Sequence, residues 1–465
     1  MQRLIKRVAT SISEPLGRHM AWIPFSCRLG PQYCRSKAAI REHENMGVDE
    51  RQNYILKGVQ RIVRHAFFHN EFYGGVYREH GFAPDQLVTF DDICRIPVVT
   101  KALLKSVSID RRSSRQFGRI LVNTGGTSGE PLHFYLDRGA IAREWGHMHR
   151  IWSEVGYRPT DLKLTFRGKN LGGVPIRYNA LSNEYLVSAY CDLDMIAKAV
   201  SDRAQHSVIR FIHGYPSLIY EFAVHCSECA PHVVERLRST LRGIMLGSEY
   251  PAPVYRESIE AIFQVPTISW YGHSEAAVLA FEANAKYCYE PMMTYGYAET
   301  VQDNDGLHHL VATSYYNTAS PFIRYDTGDI ISPQYDNGLL SSFRISEGRF
   351  GEFILDKQGR RISLTALVFG RHHDIFERAR FVQLTQACAG EAVILVTLPQ
   401  PDYADEASLR RQFDLSGADI DFRFSVLSTP YITPSGKVPL LVNISDWEND
   451  RNAYRQGWQH SSPSP

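Results

Sequence analysis

Apolar residues recur every three or four positions through "VQRIVRHAFFHNEFYGGVYREHG", residues 59–81, the spacing that covers one face of an α-helix, and Gly81 is a stop signal. This pattern predicts helix over about Gln52 to Arg112. A second stripe of Ile141, Trp145, Met148, Ile151 and Val155 predicts another amphipathic helix. Shorter apolar runs predict strands: "RILVN" and "PLHFYLD" on either side of a glycine-rich turn, then "VIRFIHGYPS", "LRGIMLGSEYP" and "PTISWYGHSEAAVLA", with helical stretches such as "VYRESIEAIF" between them.

Repeated strand–helix units predict a largely parallel sheet flanked by helices, with ligands gathered at the carboxyl ends of the strands. His213-Gly214-Tyr215-Pro216, Gly247-Ser248-Glu249 and Tyr271-Gly272-His273 fall at those ends. The alternation breaks in "SEGRFGEFILDKQGRRISLTAL", residues 346–367, ahead of a region with strands such as "EAVILVTLP". The predicted class is therefore α/β, with a large N-terminal domain of parallel and mixed sheets over 1–348 and a small mobile α+β domain over 349–465.

With 465 residues the chain exceeds what one core usually fills, which agrees with two domains. Its 51 basic and 50 acidic side chains leave a net charge of +1, so the balance gives no argument for nucleic acid or an anionic membrane and favours small-molecule chemistry. No apolar run is long enough to span a membrane, and the start "MQRLIKRVATSISEPLGRH" lacks the apolar centre of a secretory signal; the expectation is a cytoplasmic protein. Eight scattered cysteines agree with reduced thiols. "CSEC", Cys226 to Cys229, would put two thiols on one helix face, but no second pair completes a zinc site.

The turn in "LVNTGGTSGEPLHFYLD" poses the chemical question. Adjacent glycines can turn backbone N–H groups inward, and the hydroxyls of Thr124, Thr127 and Ser128 add donors, so the loop suits phosphate oxygens. It is not a P-loop: no lysine follows Gly129, and it joins strand to strand.

Six stretches follow in order: "TGGTSGEP", "GSEYP", "YGHSEAA", "PFIRYDTGDI", "EGRFGE" and "TPSGKV". Together they resemble the core motifs of the adenylate-forming superfamily of acyl-CoA synthetases and adenylation domains, from Gln52 to Val442. "RIPVVTKALLKS", "SPFIRYDTGDI" and the loop without its closing lysine are most similar to the phenylacetate–CoA ligase branch. "YGYAETVQDNDGLHHLVATS" resembles its CapK-like group, associated with capsular and exopolysaccharide synthesis.

The resemblance implies that ATP and a small organic acid, aryl or similar, form an acyl-adenylate, from which a thiol, usually coenzyme A, displaces AMP. It assigns Thr124, Gly125, Gly126, Thr127, Ser128 and Gly129 to the β- and γ-phosphates and Glu275 to Mg²⁺. Ser274 goes to the α-phosphate, and Tyr271 and Gly272, with Gly247, Ser248 and Glu249, to the adenine. Asp329 takes the ribose hydroxyls, Arg349 the ribose or α-phosphate, and Lys437, on the C-terminal domain, bridges the acid and ATP. Two departures stand out. Pro131 is followed by Leu132 where the superfamily has lysine, and Arg349 by Phe350-Gly351-Glu352 where the hinge usually reads Gly-Arg-x-Asp.

Two other readings stay open. The acceptor could be an amine, a sugar hydroxyl or a carrier protein. Alternatively, "YGHSEAA" could be the nucleophile elbow of a serine hydrolase, with Ser274, Asp329 and His372 in triad order.

Overall fold

The computed structural model describes residues 12–123, 132–189, 191–249, 251, 253–304, 306–345, 353–364, 367–368, 371, 373–379, 381–398, 405–428, 430–431 and 440–443. The chain enters through helices, of which Val48–His69 is the longest, and its buried face of Ile55, Val59, Ile62, Val63 and Ala66 follows the predicted stripe. The stripe is not one continuous helix. Asn70 leaves helical geometry and its side chain accepts from Tyr73 N, capping a new helix, Glu71–Glu79. Residues 82–112 hold only 3₁₀ turns and one short helix, Lys101–Lys105.

Strands β1 (Ile120–Asn123) and β2 (His133–Leu136) form an antiparallel hairpin whose closing pair is Asn123 and His133. The glycine loop at residues 124–131 between them lies outside the described residues. Next come β3 (Lys163–Lys169), β4 (Ile176–Asn179), β5 (Glu184–Ser188), β6 (Phe211–Gly214), β7 (Gly243–Leu246), β8 (Thr267–Gly272), β9 (Leu279–Phe281) and β10 (Glu290–Pro291). They make one sheet in the order β10-β9-β8-β7-β6-β3-β5-β4. Its inner strands β8, β7, β6, β3 and β5 are parallel, as predicted, while β9, β10 and β4 run antiparallel at the edges. Every residue of β6 and β7 is buried because helices cover both faces.

One face packs on helices Leu193–His206, Pro216–Cys229, Pro231–Arg238 and Pro253–Phe263. The other packs on Ala140–Trp152. The predicted stripe of that helix is one position out at its start: Ile141 is exposed, while Ala142, His149 and Trp152 turn inward with Met148 and Ile151. Similarly, Cys226 is buried and Cys229 exposed, so the two do not share an environment, and no group of three metal-ligating side chains occurs among the described residues.

A second, antiparallel sheet lies outside the predicted strand–helix alternation: β11 (Gly296–Gln302), β12 (His308–Ser314), β13 (Tyr325–Asp336) and β14 (Leu339–Ile345), in chain order. It shares a core with helices Val48–His69 and Glu71–Glu79. Its last turn is an Asn337-Gly338 hairpin with both residues at positive φ, a signal that was present in the sequence. After residue 352, β15 (Phe353–Leu355), β16 (Arg361–Ser363), β17 (Phe381–Cys388), β18 (Glu391–Thr397) and β19 (Asp421–Leu427) enclose a separate apolar cluster with helix Glu406–Arg411. This is α+β architecture.

A buried ion pair anchors the first residues of β8. The Arg256 guanidinium donates to both oxygens of Glu282 at 2.6 and 2.8 Å, and Glu282 also accepts from Ser269 N on β8. Arg256→Met would strand that carboxylate in the core and should lower unfolding free energy by about 3–5 kcal/mol in urea titrations. A loss below about 1 kcal/mol would show that the pair contributes little.

Candidate active site

The two sheets meet where β8 ends. Tyr271, near the carboxyl end of β8, donates its hydroxyl to Asp329 Oδ2 at 2.5 Å, across 58 residues of sequence. Asp329 reaches it because β13 is bulged. His309 pairs with Ile330 and Val311 with Asp326, so Thr327, Gly328 and Asp329 stand opposite Leu310 alone. Gly328 takes φ +76°, its N–H donates to Asp326 Oδ1 at 2.8 Å, and Thr327 Oγ1 donates to Leu310 O at 2.9 Å. The "DTGD" stretch is therefore a bulge inside a continuing strand rather than a strand end.

Glu275 lies in the tight turn joining β8 to β9 and is buried. Tyr325, at the start of β13, donates its hydroxyl to Oε1 at 3.1 Å, and His273 Nδ1 lies 3.0 Å from Oε2. Burial alone would raise the Glu275 pKa, but the charge and hydrogen bond of His273, a backbone N–H and the charge of Lys101 outweigh it and bring it down to about 2. Tyr271, His273, Glu275, Tyr325 and Asp329 thus form one connected cluster. Ser274 is exposed in the same turn.

That turn excludes the hydrolase reading. A nucleophile elbow runs from strand into helix, whereas Ser274 sits between antiparallel strands, with Gly272 paired to Leu279, and Asp329 bonds Tyr271. His372 lies outside the described residues, as do Thr124 to Gly129, Arg349, the hinge at residues 350–352 and Lys437.

Gly247, Ser248 and Glu249 follow β7. A Cβ on Gly247 would lie 2.1 Å from the Trp270 ring, and Gly247 N donates to Gly214 O at 3.0 Å, so glycine here admits the indole against the strand ends. Ser248 adopts φ +71° and is exposed, and Glu249 is buried. His213, on β6, is packed in the core. It stacks on Trp270 with 5.6 Å between ring centroids, approaches Met245 O at 3.1 Å through Nδ1, and is held neutral, foremost by burial and then by the charges of Arg167 and Lys163.

Several residues were not legible in the sequence. Tyr325 and Lys101 act on Glu275 from 50 residues downstream and from the N-terminal region, respectively. On helix Ala140–Trp152, Glu144 accepts from the Tyr295 hydroxyl; burial raises its pKa against the opposing pull of Tyr295, His273 and Arg167. Arg324 fixes the start of β13: its guanidinium pairs with Glu299 at 2.8 Å and donates to Cys94 O and Ile96 O at 2.6 Å each, while Val99 exchanges backbone hydrogen bonds with Arg324 and Asp326.

Because the folded-state pKa of Glu275 lies below its ordinary value of 4.5, the stability it contributes is complete above 4.5 and is lost as pH falls towards about 2. The contribution is about 3 kcal/mol. Unfolding curves between those pH values should therefore fall more steeply for the wild type than for Glu275→Gln. Parallel curves would mean that Glu275 titrates normally.

No protein-family model matches the sequence. The chain is 21% identical over 424 residues to Protein CapK of Staphylococcus aureus, covering 86% of this chain and 89% of that protein. Among solved structures, 2-hydroxyisobutyryl-CoA ligase in the postadenylation state with R3-HIB-AMP is similar at a TM-score of 0.54 and 18% identity, covering 90% of this chain and 94% of the ligase. The same ligase with 2-HIB-AMP and CoA in the thioesterification state gives a TM-score of 0.54 at 19% identity, over 89% and 94% of the two chains. The chain has the fold of the adenylate-forming acyl-CoA ligases.

Proposed function

We propose that this protein activates a small organic acid with ATP and passes the acyl group to a thiol, coenzyme A, with residues 1–348 and 349–465 acting as two domains. A carboxylate oxygen attacks the α-phosphorus and pyrophosphate leaves; the thiol sulfur then attacks the acyl carbon and AMP leaves. The observation that carries this reading is the cluster of Tyr271, Glu275 and Asp329, two carboxylates and a phenol from two motifs, at the carboxyl end of the parallel strands.

Asp329 keeps Oδ1 for ribose hydroxyls while Tyr271 fixes Oδ2. Tyr271 and Gly272, with the backbone at Gly247, Ser248 and Glu249, flank the adenine. Ser274 offers its exposed hydroxyl to the α-phosphate, and Thr124 to Gly129 receive the β- and γ-phosphates. Arg349 contacts the ribose or α-phosphate.

Glu275 suits Mg²⁺: it is a carboxylate held ionised, and one ionised carboxylate plus phosphate oxygens is a common Mg²⁺ environment. When bound, the ion would offset charge on the phosphates. Leu132 is buried where the superfamily has lysine, and the charges of His273 and Lys101 act on Glu275 instead.

Glu275→Gln should lower pyrophosphate exchange by about two orders of magnitude or more, the scale of one preorganised electrostatic contact. Unchanged exchange across magnesium concentrations would remove Glu275 from the site. Lys437→Ala should cost adenylation about 3 kcal/mol while sparing thiol transfer from presynthesised acyl-adenylate, because the lysine acts only in the first half-reaction. Equal losses in both half-reactions would count against a swinging C-terminal domain.

The altered hinge at Phe350-Gly351-Glu352 favours a second reading, in which an amine, a sugar hydroxyl or a carrier protein is the acceptor. Incubation with ATP, a competent acid and each acceptor decides between them. The CapK resemblance supports a place in polysaccharide or secondary-metabolite synthesis.

A further inference from the structure

The near-neutral net charge conceals a local excess. Lys57, Arg61, Arg64 and Phe68 lie on one face of helix Val48–His69 and line an open concavity of about 500 Å³ with His65 and His69. The segment "RRSSRQFGR", residues 111–119, carries four arginines and no acid. It is tied to the end of that helix: Ser114 Oγ donates to His69 O at 2.9 Å, and Gln116 Nε2 donates to Thr318 Oγ1 at 2.7 Å, while Thr318 O lies 3.1 Å from His65 Nε2. Three residues of chain reach about 11 Å at most, so Phe117 stays within that distance of Ser114, which touches the end of the helix that carries Phe68.

Two features of this surface call for a partner. Lys57, Arg64 and Arg115 have no carboxylate partner among the described residues; Glu71 is engaged by Arg111 at 2.7 Å, and Asp110 is the other exposed acid of the segment's neighbourhood. Phe68 and Phe117 are 68% and 91% exposed. Cations alone would be a solvated face, and a lone exposed ring would be ordinary. Protruding rings among uncompensated cations match an anionic bilayer, whose phosphates meet the cations while the rings enter the boundary of the acyl chains. Phe117 stands beside Gly118 at φ +76°, on a projecting turn suited to insertion.

We propose that this surface docks the protein peripherally on an anionic phospholipid bilayer, with Phe68 and Phe117 entering the interface and Lys57, Arg61, Arg64 and Arg115 facing lipid phosphates. No helix among the described residues is long and apolar enough to cross a membrane, so the attachment is to one leaflet. The strand β1 begins next to Arg119, which places the docked face beside the hairpin of the glycine loop.

The test is flotation of the full chain with vesicles of phosphatidylcholine alone or of equal parts phosphatidylcholine and phosphatidylglycerol. The wild type should float only with the anionic vesicles and be released by high salt. Arg64→Gln with Arg115→Gln should lower partitioning about twenty-fivefold, at about fivefold per charge. Phe68→Ser with Phe117→Ser should lower it at least about tenfold. Unchanged thermal midpoints and unchanged pyrophosphate exchange without vesicles would show that the variants fold and keep the separate site. Failure of the wild type to float, or equal flotation of the folded variants, overturns the proposal. Binding to an oligonucleotide but not to vesicles would overturn it in favour of a nucleic-acid surface.

Discussion

The hydrogen bond from Tyr271 to Asp329 is the contact around which the site is arranged. Tyr271 belongs to the mixed sheet and Asp329 to the antiparallel sheet, so their 2.5 Å contact helps to fix the separation of the two layers at the site. Reciprocal backbone bonds between Tyr289 and Phe343, at 2.8 and 2.9 Å, repeat that junction nearby. With both in place, the β8–β9 turn has no freedom to drift, and Glu275 meets Tyr325 across the same seam.

Burial sets the electrostatics. Glu275 stays ionised because His273, a backbone N–H and Lys101 together outweigh desolvation, whereas Glu144, where burial outweighs the pull of its neighbours, is pushed towards its neutral form. His213 loses its charge altogether between Trp152 and Trp270. Neighbouring groups thus have their pKa values shifted in opposite directions by their immediate surroundings. A charged carboxylate is what a site for phosphates and a cation requires.

Support for this arrangement comes from far along the chain. Arg324, buried and bonded to Glu299, Cys94 O and Ile96 O, locks the N-terminal segment to the start of β13. Val99 then lies beside Tyr325, which explains how Lys101, two residues later, brings its charge to Glu275. The glycines at 214 and 247 serve the same end by letting strand ends and the Trp270 ring approach more closely than any side chain allows.

By itself the sequence determined the parallel strands, the covering helices and the order of the motifs, because uninterrupted apolar runs and helical spacing are local properties. The Asn337-Gly338 hairpin was equally local, but the antiparallel sheet it closes went unread, since its strands pair along faces that no single segment displays. Ile141 was misplaced because a stripe read at three- and four-residue steps leaves the helix free to rotate until a neighbour packs against it. Only the tertiary structure decided that Asp329 occupies a bulge, that Tyr325 and His273 hold Glu275, and that Ser274 sits between strands. Each of these depends on hydrogen bonds between backbone and side chains from separate sheets, and such bonds exist only once the sheets have met.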